Sequence, residues 1–121
     1  DFSVCGHLDY VVRYGPTRDL HYDPLDYMDA IEPVLKQIIA LGKGIEVNTS
    51  GQSSGLRQAH PHPTILRRYR ELGGEIVTIG SDAHTPPSIG RYFDQAQDML
   101  RNCSFTRYCY FREQKPVFLP L

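Results

Sequence analysis

Apolar positions in this chain repeat with two different periods, in alternating blocks. Ile76, Val77 and Ile79 form a short β-branched run, with Gly73-Gly74 before it and Pro86-Pro87 after it, which predicts a buried strand over residues 75–80. Phe2 to Cys5 and Ile45 to Asn48 read the same way, and Phe105 to Phe111 alternates in strand fashion. Between these blocks the period changes to 3.6. Met28, Ile31, Leu35 and Ile38, with Val34 and Leu41 beside them, make one helical stripe. Ile65, Leu66, Tyr69 and Leu72 make a second, and Ile89, Phe93, Ala96 and Leu100 a third. Asp23-Pro24 is a start signal for the first helix, Pro33 predicts a kink or restart within it, and Gly42 and Gly44 end it. Pro63 opens the second helix and Gly73-Gly74 closes it. Residues 10–26 show no period and read as an irregular loop. Lys115 to Pro120 reads as an extended tail.

Strands alternating with helices imply an α/β fold with a parallel sheet. Four strands and three helices amount to about half of a small β/α barrel. The 121 residues, 40% of them hydrophobic, suffice for one domain, expected over 1–121. Asp1-Phe2-Ser3-Val4-Cys5 already resembles a core strand and carries no initiator Met, so the chain is expected to be the carboxyl-terminal part of a longer protein. A net charge of −1 disfavours nucleic acid as the main partner. No apolar run of membrane-spanning length is present. The three cysteines, Cys5, Cys103 and Cys109, show no metal-type spacing and suggest reduced thiols in a cytoplasmic protein.

The polar residues with chemistry in them gather at one end of the expected strands. Asp82 and His84 follow the strand over 75–80. In extended chain such i, i+2 side chains share a side, so the pair reads either as a solvated turn or as half of a metal site. His7 and Asp9 repeat the spacing after the first strand. Taken alone, His7 reads as a core histidine and Asp9 as a turn former. Alternation in the strand over 45–48 puts Glu46 and Asn48 on the face opposite Ile45 and Val47, which is either a site wall or an exposed edge face. Arg57 is the one full positive charge in the polar loop 49–62. It is either solvated or placed to bind an oxyanion such as phosphate. His60 and His62 of that loop, flanked by prolines, face either solvent or the pocket, and His21 reads as a surface residue. Convergence of His7, Asp9, Glu46, Asn48, Asp82 and His84 on the same strand ends favours a site, because unrelated turn residues need not converge.

Gly6-His7-Leu8-Asp9, Ile45-Glu46-Val47-Asn48-Thr49-Ser50-Gly51, Ser54-Gly55-Leu56-Arg57 and Gly80-Ser81-Asp82-Ala83-His84 together resemble the polymerase-and-histidinol-phosphatase superfamily, most closely its histidinol-phosphatase branch. The likeness runs in order from about His7 to Leu100. It implies a distorted (β/α)7 barrel, of which this chain is the carboxyl-terminal half, and a cluster of divalent metals (zinc, iron or manganese). By the same resemblance His7, Asp82 and His84 are metal ligands, Asp82 and His84 act in catalysis, Arg57, Asn48 and Ser50 face the substrate, and Asp9 and Glu46 stand behind these groups. The implied reaction is hydrolysis of L-histidinol phosphate to L-histidinol and phosphate by a hydroxide held between metals. Another phosphate ester or a nucleic-acid end is the alternative substrate. The family's earlier His-x-His pair and its middle ligands are absent from this chain. The resemblance therefore also implies a missing amino-terminal half, or a second copy, as partner. An inactive fragment serving as a structural or assembly module is the remaining reading.

Overall fold

A computed structural model describes residues 2–121, the Asp19 side chain excepted; Asp1, first residue of the expected opening strand, lies outside them. The chain opens with β1 (Val4–Cys5) and then winds through three 3-10 turns, Tyr10–Tyr14, Arg18–Leu20 and Pro24–Tyr27. The stretch expected as an irregular loop is thus locally hydrogen-bonded. Its tyrosines and prolines carry no amphipathic period, so their pattern gave no helical signal. Asp23 caps the last turn, its Oδ1 accepting from the Leu25 N–H at 2.9 Å. That turn feeds directly into α1 (Met28–Ala40). Pro33 lies inside α1 with its ring exposed, and the helix does not restart there.

Three parallel strands carry the core. β2 (Gly44–Asn48) pairs with β1 on one side and with β3 (Val77–Gly80) on the other, in the order β1-β2-β3. The register sets Cys5 beside Ile45, Glu46 beside Thr78 and Asn48 beside Gly80. Neighbours that follow in chain order, all pointing one way, bring the strands' carboxyl ends to a common rim. Ile45, Val47 and Val77 are completely buried beneath α1 and α3 (Pro63–Glu71), through Leu35, Ile38, Ile65, Leu66 and Tyr69. Burial of that apolar area supplies most of the driving force for folding. Arg68 ties α3 to α1 through Glu32 at 2.7 Å. A short α2 (Ser50–Ser53) follows β2, and α4 (Phe93–Asn102) adds Ala96 and Leu100 to the same core. Ile89, expected on that helical stripe, precedes α4 and is 75% exposed.

The fourth strand corrects the expected pattern. β4 (Arg107–Arg112) does not extend the parallel sheet. It pairs antiparallel with β5 (Lys115–Pro120), the segment expected as a tail. Glu113 and Gln114 close this hairpin with positive φ of 50° and 62°, the geometry of a two-residue loop that sequence normally marks with Asn-Gly. Without that mark, nothing local distinguished a hairpin from a strand and a tail. Cys5, Cys103 and Cys109 are free thiols. No helix among the described residues is long and apolar enough to cross a membrane.

Candidate active site

Each parallel strand delivers polar groups to the rim. β1 runs out into Gly6 and His7, β2 carries Glu46 and Asn48 at its end, and β3 runs from Gly80 into Ser81 and Asp82. His7 Nε2 lies 3.7 Å from Asp82 Oδ2, and His7 Nδ1 lies 4.0 Å from Glu46 Oε2. One imidazole is therefore flanked by two carboxylates from two neighbouring strands. Both His7 and Asp82 have left-handed backbone, with φ of 58° and 51°. Such strain in non-glycine residues persists only where the surroundings impose it, and it concentrates at functional sites.

The left-handed turns also change the expected geometry. Extended chain would have put Asp82 and His84 side by side. Instead His84 is exposed and its Nδ1 sits 2.7 Å from the backbone carbonyl of Asp82. His7 and Asp9 diverge for the same reason, since Asp9 has φ 54°. Asp9 turns inward, where its Oδ2 accepts from the His62 N–H at 2.9 Å and from the Tyr22 hydroxyl at 3.3 Å. Burial pushes its carboxyl up to about 6, against the opposing pull of those two hydrogen bonds. The Tyr22 phenol is pushed up as well, by burial first and by the Asp9 charge second.

Glu46 and Asn48 lie on the central strand, so the edge-face reading fails for both. Asn48 is 1% exposed. Its amide donates to Glu46 Oε2 at 3.2 Å, and its Oδ1 accepts from the Ser50 N–H at 2.9 Å. The Ser50 hydroxyl is enclosed, without a hydrogen-bond partner among the described residues. Two glycines wall in the Glu46 carboxylate. A Cβ on Gly80 would stand 2.2 Å from Oε1, and one on Gly6 would stand 3.0 Å from Oε2. Arg57 lies in the loop after α2, exposed, with φ 60°.

His60 and Tyr10 complete the cluster. An isolated antiparallel bridge ties His60 to Asn48, through N···O distances of 2.7 and 3.0 Å. The His60 ring is 3% exposed and stands 5.6 Å from His7, centroid to centroid. Tyr10 touches both rings at 4.7 Å, and its hydroxyl accepts from Arg13, whose guanidinium also lies over the Tyr10 ring. Both His60 nitrogens are enclosed without a hydrogen-bond partner among the described residues. Burial, reinforced by His7, holds this imidazole down at about 4. Sequence reasoning left His60 between solvent and pocket and missed Tyr10 and Arg13, which sit in a stretch without periodicity.

The donor set fits a divalent ion in part. Ligands bound at 2.0–2.2 Å in a tetrahedron lie about 3.4 Å apart, close to the 3.7 Å between His7 Nε2 and Asp82 Oδ2. Among the described residues no three His, Cys, Asp or Glu side chains converge on one point, because His84 is turned onto the Asp82 carbonyl.

No protein-family model matches the sequence. The chain is 40% identical over 114 residues to a probable histidinol-phosphatase of Clostridium acetobutylicum, covering 93% of this chain and 40% of that protein. It is 35% identical over 106 residues to a probable histidinol-phosphatase of Thermotoga maritima, covering 86% and 42%. The chain thus spans about two-fifths of the length of the curated relatives it matches. In fold it is similar to the crystal structure of histidinol phosphate phosphatase from Lactococcus lactis, complexed with zinc, L-histidinol and phosphate. The TM-score is 0.74 at 23% identity, over 97% of this chain and 44% of that one.

Proposed function

We propose that this chain, histidinol-phosphatase-like over nearly all its residues, forms part of the active site of a metal-dependent phosphoric monoester hydrolase. The substrate is L-histidinol phosphate and the products are L-histidinol and phosphate. One observation carries the reading: His7 Nε2 and Asp82 Oδ2 meet at 3.7 Å at the ends of two parallel strands, at the spacing of two ligands on one cation. The complete fold is then a distorted (β/α)7 barrel. This chain supplies the carboxyl-terminal half, and the other half, or a second copy, supplies the remaining ligands.

His7 and Asp82 would hold the metal (zinc, iron or manganese), and His84 would join them by turning its exposed ring off the Asp82 carbonyl. The chemistry supplied by a divalent cation there would be a more acidic water and charge neutralisation on the phosphate. Arg57 grips the phosphate oxygens with its forked guanidinium. Ser50 stands on the substrate side; Asn48, expected there, is enclosed and instead holds Glu46 and the Ser50 N–H in place, and Asp9 and Glu46 fix the groups in front of them. Water adds to phosphorus as the ester P–O bond breaks; Asp82 through its second oxygen, or His84 while its ring is off the metal, takes the proton the water gives up and passes it to the departing alcohol. The setting is the cytoplasm, in keeping with three unpaired cysteines.

Asp82→Ala in the intact protein tests this. Bound metal by elemental analysis and release of phosphate from L-histidinol phosphate should both collapse. Hydrolysis near the wild-type rate would refute the reading. A wild-type protein that prefers another phosphate monoester, or single-stranded DNA, in a side-by-side screen would replace the substrate.

A further inference from the structure

We infer that Glu46 is a positioning residue. Its carboxylate accepts the Nδ1 proton of His7 and thereby presents the Nε2 lone pair to whatever cation or proton shares it with Asp82. The inference rests on the proposed function and names a part of that site.

The geometry argues it in three steps. First, the two carboxylates address different nitrogens of one ring: Glu46 Oε2 is at Nδ1 and Asp82 Oδ2 at Nε2. The hydrogen bond made by one ring nitrogen decides which tautomer an imidazole adopts, and a carboxylate in that role is the usual support for a histidine that donates its other nitrogen. Second, Glu46 is built to stay where it is. It projects from the middle strand, Asn48 donates to the same Oε2 at 3.2 Å, and Gly6 and Gly80 leave a slot that a side chain on either would fill. Third, a short movement completes the contact. At 4.0 Å the Nδ1–Oε2 pair is about 1 Å longer than a hydrogen bond. The His7 side chain is 46% exposed, so its ring can turn that far without repacking the core.

If Glu46 served only the packing of the sheet, its loss would change stability and leave His7 indifferent. The test therefore reads His7 directly. In the intact protein with zinc bound, ¹⁵N NMR of the wild type should show His7 as the Nδ1–H tautomer. Glu46→Ala should give a mixture of tautomers, and Glu46→Gln, which keeps an acceptor oxygen, an intermediate state. Zinc or manganese affinity by titration calorimetry should fall by about 10–100-fold in Glu46→Ala. In turnover, kcat should fall by a similar factor while KM for the phosphate ester stays within about threefold, and Glu46→Gln should recover part of both losses. A Glu46→Ala protein with the wild-type tautomer and wild-type cation affinity would overturn the inference. Should Glu46→Ala fail to fold, an unchanged tautomer and affinity in Glu46→Gln and Glu46→Leu would overturn it equally. A wild type that hydrolyses no phosphate ester would sink the proposed function instead, and the tautomer measurement would still decide the role of Glu46.

Discussion

Asp9, half-buried, and His60, buried, are titratable groups whose effects on stability oppose each other over nearly the same pH range. The Asp9 carboxyl is raised to about 6, so the folded state binds its proton more readily than the unfolded chain does. Its stabilising contribution is complete below the ordinary aspartate value and is lost as pH rises through 6. His60 is depressed to about 4, so the folded state resists its proton. Its contribution is complete above the ordinary histidine value and is lost as pH falls through 4. At about 1.4 kcal/mol per pH unit, each displacement amounts to about 3 kcal/mol. The two nearly cancel in the wild type. Asp9→Asn, which keeps acceptor oxygen for the His62 N–H, should leave the His60 effect alone and lose about 3 kcal/mol between pH 7 and 4, relative to wild type. His60→Phe should leave the Asp9 effect alone and gain about as much over the same interval. Urea unfolding at pH 4, 5, 6 and 7, with chelator present, measures both. All other carboxylates titrate alike in the three proteins, so the differences from wild type isolate these two groups. Variants that tilt the same way, or that both track the wild type, would refute the assignment of these groups to a dry interior.

Two further perturbations test the site wall and the hairpin. Gly80→Ala places a methyl 2.2 Å from Glu46 Oε1, and the carboxylate must swing off Asn48. Lost hydrogen bonding should lower stability by about 1–2 kcal/mol and cation affinity by about 10-fold, with a smaller effect for Gly6→Ala, whose Cβ stands at 3.0 Å. Equal cation affinity in Gly80→Ala and wild type, by calorimetry, would show that the slot is not needed. At the hairpin, replacing Glu113-Gln114 by Asn-Gly relieves two left-handed residues and should raise stability by about 1 kcal/mol. No gain in the thermal midpoint would contradict the two-residue loop.

What sequence determined by itself was the local layer. The strands ending at His7, Asn48 and Asp82 and the three helical stripes were legible because burial of one face imposes a period on neighbouring residues. Their alternation was enough to expect parallel pairing, which β1, β2 and β3 adopt. Order along the chain also placed His7, Glu46, Asn48 and Asp82 at one rim. Tertiary structure decided how those groups are aimed. Left-handed turns at His7, Asp9 and Asp82 break the extended geometry on which i, i+2 reasoning depends, so Asp9 turns inward and His84 turns onto the Asp82 carbonyl. His60 reaches the cluster only because its backbone pairs with Asn48, twelve residues earlier. The last strand turns back on itself through Glu113 and Gln114. Each of these is set by a backbone torsion or a long-range pairing. Neither leaves a periodic trace in the sequence, because the residues that enforce it are neighbours in space alone.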